Sequence, residues 1–402
     1  MLEEIVSHQT QGPATTAAHA GEIPERTGSR PVAQPIFQTT VHSFKSIEEM
    51  EQVVENPDQG WFYYRYDSPN HSAFADAMAK LENAEAAATA GSGMGAIFAA
   101  LSAVLKSGDH IVADTKIYGG TYSLLNDQLP RFGIETTYVN IDDESAVRAA
   151  LRPTTRVLYT ETLTNPLLQV TDLEAAAKLA HSLGLLLFVD STFSTPIVCR
   201  PVEWGADVVL HATTKYIGGH SDALGGIMAG RKDIIEAAHL AGKLMGLTQG
   251  PFDAWLNVRS LKTLPLRMTA HSRNAQGVAE WLSRQPGIVK VNYPGLESHP
   301  QHALARRLMP EGLFGGMLSF ELESGEAGAR RFVRALREIP LVPSLADVTT
   351  TISHPASSSH RMLTPEQRAE VGIGEGLLRL SVGIEDLQDI IQDLEQALAQ
   401  SK

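Results

Sequence analysis

The sequence predicts an α/β protein: one large, mostly parallel sheet with helices on both faces, followed by a smaller α+β unit. Three observations carry this expectation. From about Tyr64 to Trp255, Ala- and Leu-rich helical stretches alternate with short apolar runs, the pattern of a covered parallel sheet. The chain has 402 residues, beyond the size at which a single core keeps growing. After Leu266 the alternation changes to three strand-like runs and a closing amphipathic helix.

Taken in order, residues 1 to about 60 carry Pro13, Pro24, Pro31, Pro35 and Pro57 and predict an irregular arm that must lie on its own domain or on a partner. Strands are expected at His110–Ala113, Glu135–Val139, Arg156–Thr160, Leu185–Val189 and Val208–Leu210, with helices such as Gly95–Lys106 and Leu173–Leu183 between them. Pro251 to Leu266 reads as one long connecting helix. Strands follow at Val289–Asn292, Met317–Leu322 and Leu377–Ser381. The helix Glu385–Gln400 places Leu387, Ile390, Ile391, Leu394 and Leu398 on one face, which is expected to pack on the second sheet. The domain division predicted is an arm at 1–62, an α/β domain at 63–256 and an α+β domain at 257–402.

Composition excludes several classes. A net charge of -13 argues against general nucleic-acid binding and for a cytoplasmic protein. One cysteine, Cys199, rules out an internal disulfide framework and a multi-cysteine metal site. Glu3 and Glu4 stand where a basic-then-apolar leader would begin, and no apolar run has membrane-spanning length. His354 and His360 flank PASSS without the spacing of a metal pair.

The stretch VVLHATTKYIGGHSDALGG, Val208 to Gly226, is the most informative. An apolar strand ends in small residues and presents a single lysine, Lys215. Lysine amines form Schiff bases with carbonyls, and pyridoxal phosphate is the usual carbonyl; the alternative is a solvated loop lysine. Asp190 ends another strand in FVDSTF, where a carboxylate could keep a pyridine nitrogen protonated, or could simply cap a turn. Gly91-Ser92-Gly93-Met94-Gly95 precedes a helix, the place for a phosphate on free N–H groups. A dinucleotide fingerprint has similar glycines but needs a β-branched strand before them, and LENAEAAATA does not resemble one. Close helix packing is a third reading.

Tyr118 opens YGGT after a strand, where its ring could stack on a flat cofactor and its hydroxyl could move protons. Asn165 in ETLTNP follows another strand, although Asn-Pro is also a common turn. Arg65, among the aromatics of WFYYRYDSPN, could reach a phosphate. Arg379 in GLLRLSVG is a strand arginine flanked by apolar residues, suited to a substrate carboxylate or an internal salt bridge.

As a set, PIFQTT, YxRxxxP, SGM, YGGT, FVDxTF, TKYIGGHSD, RSLKTLPLRM, HPASSSH and RLSVGIED resemble the Cys/Met-metabolism, or trans-sulfuration, family of pyridoxal-phosphate enzymes. The resemblance runs from His19 to the C-terminus and implies the fold type I, aspartate-aminotransferase-like architecture. It implies that Lys215 carries pyridoxal 5'-phosphate and shuttles protons. Asp190 would pair with the pyridine nitrogen, Tyr118 would stack and protonate the leaving group, and Gly93, Met94 and Thr214 would hold the phosphate. Tyr63 and Arg65 would reach the neighbouring subunit's phosphate in a homotetramer built as a dimer of dimers. Arg379, with Asn165 and the loop at Ser344, would bind the substrate carboxylate.

Departures from the family pattern are specific. Ala212 replaces a phosphate-binding serine, Ser191 follows the aspartate in place of asparagine, and YSRxGNPT becomes YYRYDSPN. Thr349 stands for the glutamate of cystathionine-handling members, and Gly120 for the cysteine of methionine γ-lyases. The implied activity is α,γ-elimination on methionine, homocysteine or cystathionine, giving 2-oxobutanoate and ammonia. The alternative is γ-replacement on an O-acyl-homoserine. An aminotransferase-like or non-catalytic cofactor binder of the same fold is a different class.

Overall fold

A computed structural model describes residues 11–21, 31–56, 59–309, 311–359, 361 and 364–401. Glu3, Glu4, Pro24, Pro57 and His360, used above, lie outside the described residues.

Seven strands form the large sheet: β1 (Ala86–Ala90), β2 (His110–Asp114), β3 (Glu135–Val139), β4 (Thr155–Glu161), β5 (Leu186–Asp190), β6 (Val208–Ala212) and β7 (Gly226–Gly230). Their order is β1-β7-β6-β5-β4-β2-β3. β7 runs antiparallel to both of its neighbours, and the rest of the sheet is parallel. The two-residue period of a strand divides the core. Leu187, Val189, Val209 and Ile227 pack on one face with Phe74 and Met78 of helix Pro69–Glu82. Phe188, Val208, Leu210 and Met228 pack on the other with Ile97 and Leu101 of helix Gly93–Val104. Both faces are buried, which is why these strands read as continuous apolar runs.

Four further strands form an antiparallel sheet in the order β10-β11-β9-β8: β8 (Ile288–Asn292), β9 (Met317–Leu322), β10 (Thr351–Ser353) and β11 (Leu377–Ser381). The closing helix, Leu387–Ala399, rests its Ile390, Leu394 and Leu398 face on helices Gly325–Ala335 and Leu264–Leu282, rather than chiefly on the sheet.

Several expectations are corrected. The alanine-rich AAATA is a strand, β1, sandwiched between helix Pro69–Glu82 and helix Lys232–Met245. Tertiary packing overrides alanine's weak strand propensity. The helix expected over 251–266 is two, Pro251–Leu261 and Leu264–Leu282, with Pro265 in the first turn of the second. The arm contains helices at Pro13–Ala18 and Ile47–Glu55, the latter capped by Ser46. The strand before Lys215 extends to Ala212, and the helix expected from Gly95 begins at Gly93.

Candidate active site

The C-terminal ends of β4, β5 and β6 place three residues side by side. In register, Glu161 lies opposite Asp190, and Asp190 opposite Leu210. The period of two puts Glu161, Asp190 and Ala212 on the face covered by helix Gly93–Val104. That helix aims its N-terminus at them. Ser92 caps it by accepting the Gly95 N–H at 3.0 Å. Gly93 and Met94, as the first two helical residues, have no intrahelical acceptor for their N–H groups.

These residues open on one cavity of ≈ 580 Å³, also lined by Tyr118, Asn165, Thr192, Thr214, Lys215, Ser344 and Arg379. Three residues after β6, Lys215 donates from Nζ to Ser344 Oγ at 3.0 Å. Burial, helped by the Arg379 guanidinium, lowers its pKa and so favours the neutral, nucleophilic amine. Arg379, on β11 and only 4% exposed, donates to Asn165 Oδ1 at 2.9 Å and to the Ser344 carbonyl at 3.3 Å. Burial lowers its pKa to about 10, and no carboxylate of the described residues pairs with it, which argues against the internal salt bridge.

Asp190 lines the cavity, and burial raises its pKa; the Thr192 side chain and its N–H, donated at 3.0 Å, oppose this, as does His211. His211 lies on the opposite face of the sheet, 2.6 Å from Glu82, both with fully buried side chains. Tyr118 is 46% exposed at the rim, and its N–H is donated to Glu161 Oε1 at 2.5 Å. Burial pushes the Glu161 carboxyl well up, reinforced by Asp190 and Asp114.

Nine of the twelve predicted site residues are thus brought together: Lys215, Asp190, Tyr118, Gly93, Met94, Thr214, Asn165, Ser344 and Arg379. Three are not. Thr349 is exposed, its N–H held by Asp347, and the wall beside it is made by Pro343, Ser344 and Leu345. Tyr63 and Arg65 lie outside the cavity; Arg65 stacks on Tyr66 and donates to the Lys243 carbonyl. Sequence reasoning left Glu161 without a role, although a carboxylate at a strand end is the same signal that marked Asp190. It also missed Ser357, Ser358, Ser359 and Arg361, which close the mouth. His354 is engaged by Ser357 and the Glu375 carbonyl, and among the described residues no group of three His, Cys, Asp or Glu could hold a metal.

The cavity fits pyridoxal phosphate. A cradle for the phosphate exists at the free Gly93 and Met94 amides, where a Cβ on Gly93 would stand 2.6 Å from the Ala212 Cβ. A depressed-pKa amine and a buried carboxylate face the same space.

Comparison with known proteins agrees. The chain matches the family model described as Cys/Met metabolism PLP-dependent enzyme over residues 14–399. It is 43% identical to L-methionine gamma-lyase of Porphyromonas gingivalis over 390 residues, 96% of this chain and 97% of that protein. It is 41% identical to O-succinylhomoserine sulfhydrylase of Pseudomonas aeruginosa, over 96% of this chain and 94% of that protein. A Campylobacter jejuni crystal structure bearing a pyridoxyl-lysine phosphate superposes with a TM-score of 0.91 at 30% identity, covering 97% of this chain and 100% of that one. No described helix is long and apolar enough to cross a membrane. With a lysine, a carboxylate and a phosphate cradle around one cavity at the strand ends, this chain belongs to the Cys/Met metabolism family of PLP-dependent enzymes, of fold type I.

Proposed function

We propose that the protein is a carbon–sulfur lyase that carries out α,γ-elimination on a sulfur amino acid such as methionine, homocysteine or cystathionine, releasing 2-oxobutanoate and ammonia. The observation that carries this reading is the Lys215 amine, its pKa lowered by burial, in one cavity with a carboxylate receptor, Arg379, and a rim hydroxyl, Tyr118. Pyridoxal phosphate, when bound, supplies the electron sink that acidifies the substrate's α carbon.

The chain's own groups do the rest. Arg379 and Asn165 hold the α-carboxylate, and Ser344 orients Lys215 Nζ. Lys215 is the base for the α proton and, once it has passed that proton on and is neutral again, for a β proton, a role that its lowered pKa suits. The Tyr118 hydroxyl gives a proton to the departing γ substituent. Gly93, Met94 and Thr214 hold the phosphate, and Asp190 faces the pyridine nitrogen. Tyr63 and Arg65, which do not line their own cavity, serve a neighbouring subunit's phosphate in a cytoplasmic homotetramer. We retain the division at 62/63 and 256/257, the arm being the segment that reaches the neighbour.

A second reading, γ-replacement on an O-acyl-homoserine, is favoured by the 41% identity to the Pseudomonas sulfhydrylase. Methionine, cystathionine and O-acyl-homoserine are assayed with and without sulfide, following 2-oxobutanoate and thiol products. The elimination reading expects 2-oxobutanoate without sulfide. Homocysteine from ester plus sulfide, with no oxo acid under any condition, would contradict it.

A further inference from the structure

Five charged side chains line the cavity. Four have roles: Lys215, Asp190, Arg379, and Glu161, which accepts the Tyr118 N–H. The fifth, Arg361, is unused. It is exposed and forms no ion pair among the described residues. Glu375, further along the chain, pairs with Arg368 at 2.6 Å.

Position separates the two arginines. Arg379 lies on β11 and bonds Asn165 and the Ser344 carbonyl, close enough to Lys215 to lower the amine's pKa. Arg361 instead belongs to the turn that meets the Tyr118 rim. The Ser359 carbonyl lies 3.2 Å from where a Cβ on Gly119 would stand. The turn is pinned: Ser358 Oγ donates to the His354 carbonyl at 2.7 Å, His354 Nδ1 bonds Ser357 Oγ at 2.7 Å, and the Arg361 N–H is donated to the Ser358 carbonyl at 3.4 Å. Arg361 thus lines the cavity on the side of the Tyr118 rim, where the preceding reading puts the departing γ substituent.

We propose that Arg361 determines specificity, receiving a carboxylate carried on the substrate's γ substituent, so that the preferred substrate is an amino acid with a carboxylate at each end. This rests on the preceding reading of the cavity as a site for γ-substituted amino acids. A guanidinium matches a carboxylate with two parallel hydrogen bonds. A thioether methyl, as in methionine, offers it nothing. Cystathionine and O-succinyl-homoserine carry such a distal carboxylate; methionine and O-acetyl-homoserine do not.

The test uses the holoenzyme and two ligands without a leaving group, L-2-aminosuberate and L-2-aminooctanoate, which differ only in a terminal carboxylate against a methyl. Calorimetric titration is expected to give roughly 10- to 100-fold tighter binding of aminosuberate, the range for one charge-assisted hydrogen-bonded pair. Arg361→Gln is expected to abolish that preference without weakening aminooctanoate, and Arg361→Lys to keep part of it. In turnover, Arg361→Gln is expected to lower kcat/KM for O-succinyl-L-homoserine by the same factor and to leave O-acetyl-L-homoserine unchanged. Equal binding of the two ligands to the wild type, or an unchanged preference in Arg361→Gln, overturns the assignment of Arg361 alone. Failure of both ligands to bind overturns the underlying reading of the cavity as well.

Discussion

The floor and the mouth of the cavity are built by different means. The floor is carried by the ends of β4, β5 and β6 and by strand β11, with Glu161, Asp190 and Arg379 set by ladder register. The mouth is carried by a helix start, Tyr118-Gly119-Gly120, and by the connecting segment that supplies Ser357, Ser358, Ser359 and Arg361, with Tyr118 46% exposed. Register tolerates no one-residue slip, because a slip sends each side chain to the other face. Connecting segments and helix starts at the surface tolerate exchange of side chains without loss of the core. On the proposed reading the α-carbon chemistry resides in the floor, and the protonation and choice of leaving group in the mouth, with Tyr118.

The largest effect expected is at the floor. Arg379→Leu removes the proposed carboxylate receptor and leaves Asn165 Oδ1 and the Ser344 carbonyl without this donor. It is expected to lower kcat/KM by about 10²- to 10³-fold for every substrate, as for truncation of one partner in a buried charged pair. Arg361→Gln spares neutral substrates; if both variants lost activity on all substrates alike, the division between floor and mouth would be broken.

Next is the phosphate cradle. Gly93→Ala would place a Cβ 2.6 Å from the Ala212 Cβ and 2.9 Å from its Cα. Overpacking of this kind costs about 1–3 kcal/mol, so equilibrium dialysis of apoprotein should show cofactor binding weakened by about tenfold or more. Adding Ala212→Gly should restore part of it, and no rescue would mean that the two residues do not share the cradle.

The smallest effect is on stability. Glu161 has its folded-state pKa raised by burial above the ordinary glutamate value of 4.5. Its contribution is therefore complete below pH 4.5 and declines as pH climbs toward the folded value. Glu161→Gln keeps an acceptor for the Tyr118 N–H and removes the ionisable group. The variant should gain on the wild type by up to about 1.4 kcal/mol per pH unit between pH 4.5 and the folded value, measured by urea unfolding, with a pH-independent difference in acid. A gap independent of pH would show that Glu161 is not held neutral.

The same contrast explains what could be read from the residues alone. Lys215, Asp190 and Arg379 were legible because each interrupts or follows an apolar run, and a polar residue there has few structural reasons to exist. β1 was not, because AAATA owes its strand conformation to its partner β7 and to helices on both sides, none of which its own residues announce. β7 itself is bounded by glycines that read as a loop; Gly226 is required because a Cβ there would lie 2.1 Å from the Ser92 carbonyl. Thr349 was singled out by motif position, yet the chain turns it to solvent and brings Pro343, Ser344 and Leu345 to the wall. Arg361 carried one signal, a cation directly after HPASSSH, which became meaningful only when the turn was seen to meet the Tyr118 rim.

The account stands on Lys215 as the amine that binds the cofactor at the floor. Borohydride reduction of the purified protein, followed by digestion and mass spectrometry, tests this directly. The account predicts one reduced pyridoxyl-phosphate adduct per chain, on the peptide containing Lys215, and its loss in Lys215→Ala. An adduct on any other lysine, or none in protein that retains the cofactor, would contradict it.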